Sequence, residues 1–292
     1  KSMSVEGKVA IITGAGGGLG RQHALLLAKH GAKIVVNDLG GAVDGSGKSD
    51  AADEVVKEIR AAGGTAVANK DSVSDRAGAK NIVDTAVNEF GTVDIVVNNA
   101  GILRDKSFKK MSLDEWDLVI NVHLMGSAYV TWHAWPIMYE QNYGRVVFTS
   151  SVSGILGSFG QANYGAAKMG MVGLMNNLSR EGASHNIHTN CLSPGAATRM
   201  TASVPGSSID ADNPDAGNHP GQVSPVILYL SSTDAPNGRI IQAAGGKFAS
   251  DAVYANTGID LGVDATAEDF IENADAALDM SDAVVKTKFW RQ

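Results

Sequence analysis

The 292-residue chain has one cysteine, Cys191, so it can form no intramolecular disulfide and no cysteine-ligated metal cluster. A reducing compartment is the expectation. Basic residues are the minority charge: 24 Lys and Arg against 31 Asp and Glu give a net charge of −7. That argues against general affinity for nucleic acid or anionic membrane, since both require basic patches. No apolar run reaches the roughly 18 residues of a membrane helix. The seven histidines show no metal-ligand spacing, so no metal site is expected. The first residues lack the apolar core of a secretory signal, and Phe289-Trp290-Arg291-Gln292 is not a Ser-Lys-Leu address. The expectation is a cytoplasmic protein with a small-molecule substrate.

Glycine is abundant: 34 residues, where a usual share of ~7% would give about 20. Many of them punctuate a regular alternation. Short apolar runs at 9–12, 33–37, 65–69, 93–97, 144–150, 186–192 and 238–243 read as strands. Helical stretches at 19–30, 50–62, 74–90, 112–140, 161–184 and 221–231 separate them, with Pro136 expected to bend the longest. The runs are continuously apolar, as in strands covered on both faces. Repeated β-α alternation then predicts an α/β fold with a doubly wound parallel sheet and helices on both faces. Residues 1–248 read as one domain that includes a polar substrate loop at 201–218, and 249–292 as a C-terminal extension, helical near Ala267–Met280.

The first strand runs into Thr13-Gly14-Ala15-Gly16-Gly17-Gly18-Leu19-Gly20, which opens a helix. Glycines let backbone approach a phosphate, and the N–H groups of a helix N-terminus point at the anion. G-x-x-x-G-x-G fits at Gly14, Gly18 and Gly20; a phosphate loop of the Gly-Lys-Ser/Thr kind does not. Asp38 ends the second strand, where a carboxylate holds a ribose 2′-OH and repels a 2′-phosphate; NAD is therefore expected over NADP. Asp71, after the third strand, can similarly reach toward an adenine. Tyr164 and Lys168 stand i, i+4 on one helix face, and an ammonium there would lower the phenol's pKa toward acid–base duty. Ser150, Ser151 and Ser153 cluster at a strand end, and their chemistry alone does not choose among them. Asn98-Asn99-Ala100-Gly101 follows the fourth strand, at an end where ligands bind.

In this order the motifs resemble the short-chain dehydrogenase/reductase family over about residues 5–247, which implies a Rossmann-type fold. The family spacing, thirteen residues before the tyrosine, selects Ser151. By the resemblance Tyr164 exchanges a proton with the substrate oxygen, Lys168 tunes it and holds the nicotinamide ribose, Ser151 orients the substrate, and Asn121 supports a water relay. Gly14, Gly18 and Leu19 would lie along the pyrophosphate. Asp38, Asp71, Ser72, Asn99 and Ala100 would face the adenosine side, and Pro194, Gly195 and Thr198 would cover the nicotinamide.

A narrower resemblance, carried by Asn37–Gly41, Asn99–Phe108 and Phe159–Tyr164, is to the (3R)-hydroxyacyl-CoA dehydrogenase regions of peroxisomal multifunctional enzymes. It implies an acyl-CoA substrate, whose phosphates Arg104, Lys106, Lys109 and Lys110 could meet. The rival substrate is a steroid-like or other hydrophobic alcohol. A rival of another class is a non-catalytic NAD-binding regulator. Helices 112–140 and 161–184 are expected to pair subunits into a homodimer or homotetramer.

Overall fold

A computed structural model describes residues 4–41, 49–195 and 219–287. The chain divides into two compact units, residues 1–249 and 250–292. In the first, β1 (Val9–Ile12), β2 (Lys33–Asn37), β3 (Thr65–Asn69), β4 (Ile95–Asn98), β5 (Gly144–Thr149), β6 (Ile187–Gly195) and β7 (Ile240–Ala244) form a parallel run. With β8 (Lys247–Asp251) the eight-stranded order is β3-β2-β1-β4-β5-β6-β7-β8. Only Gly245 and Gly246, both at positive φ, separate β7 from β8; that is a hairpin turn and far too short for a parallel crossover. No apolar run announces β8, because its side chains are largely exposed.

Alternation within each strand explains the uninterrupted apolar runs. In β1, Ala10 and Ile12 face one layer while Val9 and Ile11 face the other. The first layer is covered by α1 (Gly18–Lys29), α2 (Ala51–Ala61) and, further along, α8 (Ser224–Ser231), through Leu27, Val55, Ile59 and Ile227. The second is covered by α3 (Arg76–Phe90), α5 (Gly126–Gln141) and α7 (Ala162–Glu181), through Ile82, Val130, Met138 and Met171. Each fully buried side chain of this kind contributes roughly 1.5–3 kcal/mol.

The helix expected over 112–140 is three pieces. Ser112 and Glu115 form the capping box that starts α4 (Leu113–Ile120), as their spacing predicts. A π-turn, Asn121–Met125, then interrupts the ladder before α5. Pro136 lies inside α5 without ending it, so the break sits at Asn121 rather than at the proline. Gly126 follows the π-turn, and a Cβ there would fall 2.6 Å from Val73 Cγ2: α5 can approach the loop after β3 only with a bare backbone at this point. After β5, a short α6 (Val152–Ile155) is capped by the Ser151 side chain, which accepts from Ser153 N–H.

In the second unit, β9 (Tyr254–Ala255) pairs antiparallel with β10 (Val284–Val285). The helical stretch expected near 267–280 is α9 (Ala267–Glu272), started by a Thr266–Asp269 capping box, and α10 (Ala274–Leu278).

Candidate active site

Strand order reverses between β1 and β4, so the loops after β1, β2, β4, β5 and β6 converge on one crevice at the sheet's C-terminal edge. At its floor Gly14 has φ +61°, and a Cβ there would lie 2.7 Å from Ala100 Cα. The turn therefore requires glycine. Thr13 locks it to the β4 loop: its hydroxyl accepts from Asn99 and Ala100 N–H at 3.0 Å each, and the Asn99 amide donates to the Thr13 and Gly14 carbonyls at 3.2 Å. Asn99 and Ala100 are thus bound to the glycine turn itself. α1 begins at Gly18 and Leu19 with no side-chain cap and no acidic residue in its first turn. Its leading N–H groups and positive dipole end are left for an anion.

Asp38 borders the same turn. One oxygen accepts from Gly16 N–H at 2.8 Å and the other from Gly40 N–H at 2.7 Å. A Cβ on Gly16 would fall 2.7 Å from that carboxylate. Bare glycine backbone, an uncapped helix start and a carboxylate at the end of β2 fit the pyrophosphate and ribose of a dinucleotide. Beyond it Asp71 accepts from the Asn69 and Asn81 amides at 2.8 and 2.5 Å, and the Ser72 and Ser74 hydroxyls share a hydrogen bond at 2.9 Å. Pro194 and Gly195 close β6, paired with Ala243 and Ala244. Thr198 and the loop 201–218 lie outside the described residues.

On the other side of the crevice, α7 carries Tyr164 and Lys168. Lys168 is buried; its Nζ donates to the Thr149 carbonyl at 2.7 Å and lies 5.2 Å from the centre of the Tyr164 ring. Burial pushes its pKa down to about 7. Tyr164 moves the other way: burial raises the phenol, a hydrogen bond with the Ser151 side chain lowers it, and the charge of Asp105 adds to the rise. In the protein by itself burial outweighs the Ser151 hydrogen bond, and the result is opposite to the drop expected from an i+4 ammonium. Of the three serines, Ser151 is the one joined to the phenol; Ser150 donates to the Lys168 carbonyl and Ser153 to the Gln161 side chain. Asn121 begins the π-turn and is exposed, and among the described residues its side chain has no hydrogen-bond partner.

Three residues of this site escaped the sequence reading. Asp105 accepts from the Gln161 amide at 2.9 Å, its other oxygen is buried without a partner, and burial raises its pKa. Gln161 precedes Tyr164 by one helical turn, but a polar residue at a helix start reads as an ordinary terminus. His123 is fully buried within the π-turn, edge-on to Tyr164 at 5.2 Å. No pattern announces a buried imidazole. The basic cluster is partly spoken for: Lys106 pairs with Glu115 at 2.5 Å, and Arg104 donates to the Leu103 carbonyl at 2.8 Å. Lys109 and Lys110 are exposed.

Known proteins share this arrangement. The family model for short chain dehydrogenases matches residues 8–207. A short-chain type dehydrogenase/reductase of Mycobacterium tuberculosis is 49% identical over 284 residues, 96% of this chain and 97% of that protein. The peroxisomal hydratase-dehydrogenase-epimerase of Saccharomyces cerevisiae is 49% identical over 248 residues, 84% of this chain but 27% of that protein. Among solved structures, full-length peroxisomal multifunctional enzyme type 2 from Drosophila melanogaster superposes with a TM-score of 0.78 at 39% identity, covering 97% of this chain and 47% of that one. A 7α-hydroxysteroid dehydrogenase complexed with NADH and 7-oxo glycochenodeoxycholic acid has a TM-score of 0.73 at 27% identity, covering 84% and 95%. The chain spans less than half the length of these two peroxisomal proteins. The motif order, the doubly wound sheet and the match across residues 8–207 together make this chain a member of the short chain dehydrogenase family, oxidoreductases that generally work with NAD(P) on CH–OH groups.

Proposed function

We propose that this protein is an NAD-dependent dehydrogenase that oxidises (3R)-3-hydroxyacyl-CoA to 3-oxoacyl-CoA. The observation that carries the chemistry is the Tyr164 phenol, hydrogen-bonded to Ser151 and one helical turn from buried Lys168, across the crevice from the glycine turn. When bound, the oxidised cofactor supplies a hydride acceptor and positive charge near the phenol. Ser151 and Tyr164 hold the substrate hydroxyl between them. The hydroxyl proton passes to the Tyr164 oxygen as the carbinol hydride leaves, so the C–OH carbon becomes a carbonyl and charge balances. Lys168, protonated, offsets the negative charge on the tyrosinate that begins each turnover.

Preference for NAD follows from Asp38, whose carboxylate would repel a 2′-phosphate. The acyl-CoA substrate is supported by the yeast relative, whose name joins a hydratase to a dehydrogenase: hydration of an enoyl group creates the hydroxyl that a dehydrogenase then oxidises. Assembly through α4, α5 and α7 is supported by exposed Leu118, Met169 and Trp132, the last 70% exposed. A cytoplasmic setting suits the lone, buried Cys191, whose thiol burial pushes up to about 12.

The test is a spectrophotometric screen at 340 nm of hydroxyacyl-CoA, hydroxysteroid and simple alcohols, with NAD and NADP in parallel. NAD-linked turnover of the (3R)-hydroxyacyl-CoA and its loss in Tyr164→Phe, with NAD binding retained, is the expected result. Turnover of a hydroxysteroid alone would move the substrate, and full activity in Tyr164→Phe would sink the mechanism. Nucleotide binding without turnover of any alcohol would identify a regulator instead.

A further inference from the structure

His123 occupies a position that the proton-transfer scheme leaves unused. Its Nε2 faces the backbone of Ile102 twice, 3.0 Å from the N–H and 2.7 Å from the carbonyl. Its ring stands at 88° to Tyr164, centroids 5.2 Å apart. Gly101 lies against its rim so closely that a Cβ at residue 101 would collide with the imidazole. Nδ1 is buried with no partner. A neutral imidazole at Nε2 either donates to the carbonyl or accepts from the N–H, so whichever tautomer forms, one polar group here stays unmatched. An unpaired buried polar group is destabilising, and an apolar side chain would fill this space without it.

The segment that His123 grips is the near wall of the crevice. Residues 102–108 run from the end of β4 and fasten to the start of α7 at three further points. Lys106 N–H donates to the Gly160 carbonyl at 2.9 Å, Gln161 donates to Asp105, and the Asn163 amide donates to the Arg104 carbonyl at 3.3 Å. Those contacts tie the loop to the helix that carries Tyr164. Asp105 reaches the phenol by its charge, and among the described residues His123 is the group that joins the Ile102 end of the loop to the Tyr164 ring by direct ring contact.

We infer that His123 is a positioning residue, which couples the substrate-facing loop at Ile102 to the orientation of the Tyr164 ring. The inference rests on Tyr164 being the proton-transfer group. Burial and the neighbouring Lys168 charge hold the imidazole down to about 3, so it acts as a neutral wedge and not as an acid or base. The groups that face the phenol are Lys168 on its own helix, Ser151 after β5, Asp105 on the loop and His123 in the π-turn.

Two variants separate the halves of the coupling. His123→Phe keeps a ring beside Tyr164 and loses the Ile102 contact. It should raise KM for a short 3-oxoacyl-CoA about tenfold, with kcat within about threefold of wild type. His123→Gln keeps a polar reach to Ile102 and loses the ring. It should lower kcat about tenfold and displace the ionisation seen in the kcat–pH profile by about half a unit or more. NAD binding, followed by fluorescence titration, should be unchanged in both. Wild-type protein gives an independent reading: imidazole 15N resonances, assigned through contacts to the Tyr164 ring protons, should show His123 neutral from pH 5 to 8 and should shift on saturation with the acyl-CoA. Wild-type kcat, KM and pH profile in both variants would overturn the inference, as would 15N resonances that ignore the acyl-CoA. Tyr164→Phe is the control. If it stays active the functional reading has failed; if it is inactive while His123 variants behave as wild type, only the coupling has failed.

Discussion

Lys168 Nζ donates to the Thr149 carbonyl at 2.7 Å, which anchors the amine to the last residue of β5, two positions before Ser151. The buried lysine and the serine that meets the phenol are thus registered by the same strand end. That register, more than charge alone, fixes where Tyr164 can work. With its pKa near 7, the amine is a variable charge at neutral pH.

Removing it should separate activity from stability. The folded value, about 7, lies below the unfolded value of 10.5, so the unfolded chain binds more protons between these limits. Lys168 therefore makes wild-type stability rise with pH from 7 toward 9, by up to about 1.4 kcal/mol per unit, before the raised Cys191 thiol begins to act in the opposite sense. Lys168→Met should abolish that slope in urea midpoints and not lower stability at pH 7, while turnover falls by roughly 10²–10³-fold. A Lys168→Met protein whose midpoint keeps the wild-type pH slope would refute the assignment.

Asp105 works against ionisation of Tyr164, since its negative charge raises the phenol's pKa. Asp105→Asn keeps an oxygen for the Gln161 amide and removes the charge. The acid limb of the pH–rate curve for alcohol oxidation should move to lower pH, by about half a unit, because tyrosinate forms more easily. A shift toward alkaline pH would contradict this sign.

Two buried histidines predict the acid limit of the fold. His23, 2.7 Å from Ser224 Oγ, and His123 are both held down to about 3 by burial, against 6.5 when unfolded. Below 6.5 the unfolded chain takes up protons that the folded chain refuses. Stability should fall as pH drops from 6.5 toward 3, by about 1.4 kcal/mol per unit for each histidine. His23→Gln should roughly halve that slope in denaturant titrations without changing stability at pH 8 by a comparable amount.

Much of this architecture was legible because it is periodic or punctuated. Continuous apolar runs such as Val9–Ile12 mark doubly covered strands, and Gly91 closes α3 in the left-handed conformation that a helix-ending glycine suggests. The Ser112–Glu115 box marks a helix start by its spacing alone. The π-turn at Asn121 was not legible: no local pattern marks an extra backbone residue inside a helical stretch, and the close approach of the neighbouring Gly126 to Val73 is a tertiary fact. Asp105, Gln161 and His123 escaped for a related reason. Each is defined by a partner at least 21 residues away, while local pattern sees only neighbours on one face. Tyr164 was found, yet the direction of its pKa was not, because burial is invisible to a four-residue spacing.

Asp38 decides the nucleotide. Its two carboxylate oxygens are each held by a backbone N–H, from Gly16 and Gly40, so the side chain is fixed at the end of β2 before any ligand arrives. A fixed carboxylate discriminates twice: it accepts from a ribose hydroxyl, and it repels a phosphate at the same place. Asp38→Asn keeps the shape but has one oxygen for two N–H donors and no charge. Hydrogen bonds to charged groups contribute about 1.5–3 kcal/mol, so NAD affinity should fall by about tenfold or more. NADP should lose less or gain, since the repulsion is gone. Fluorescence titration of both nucleotides against wild type and variant gives the ratio directly. If Asp38→Asn leaves the NAD-to-NADP ratio unchanged, cofactor choice lies with residues other than the β2 carboxylate.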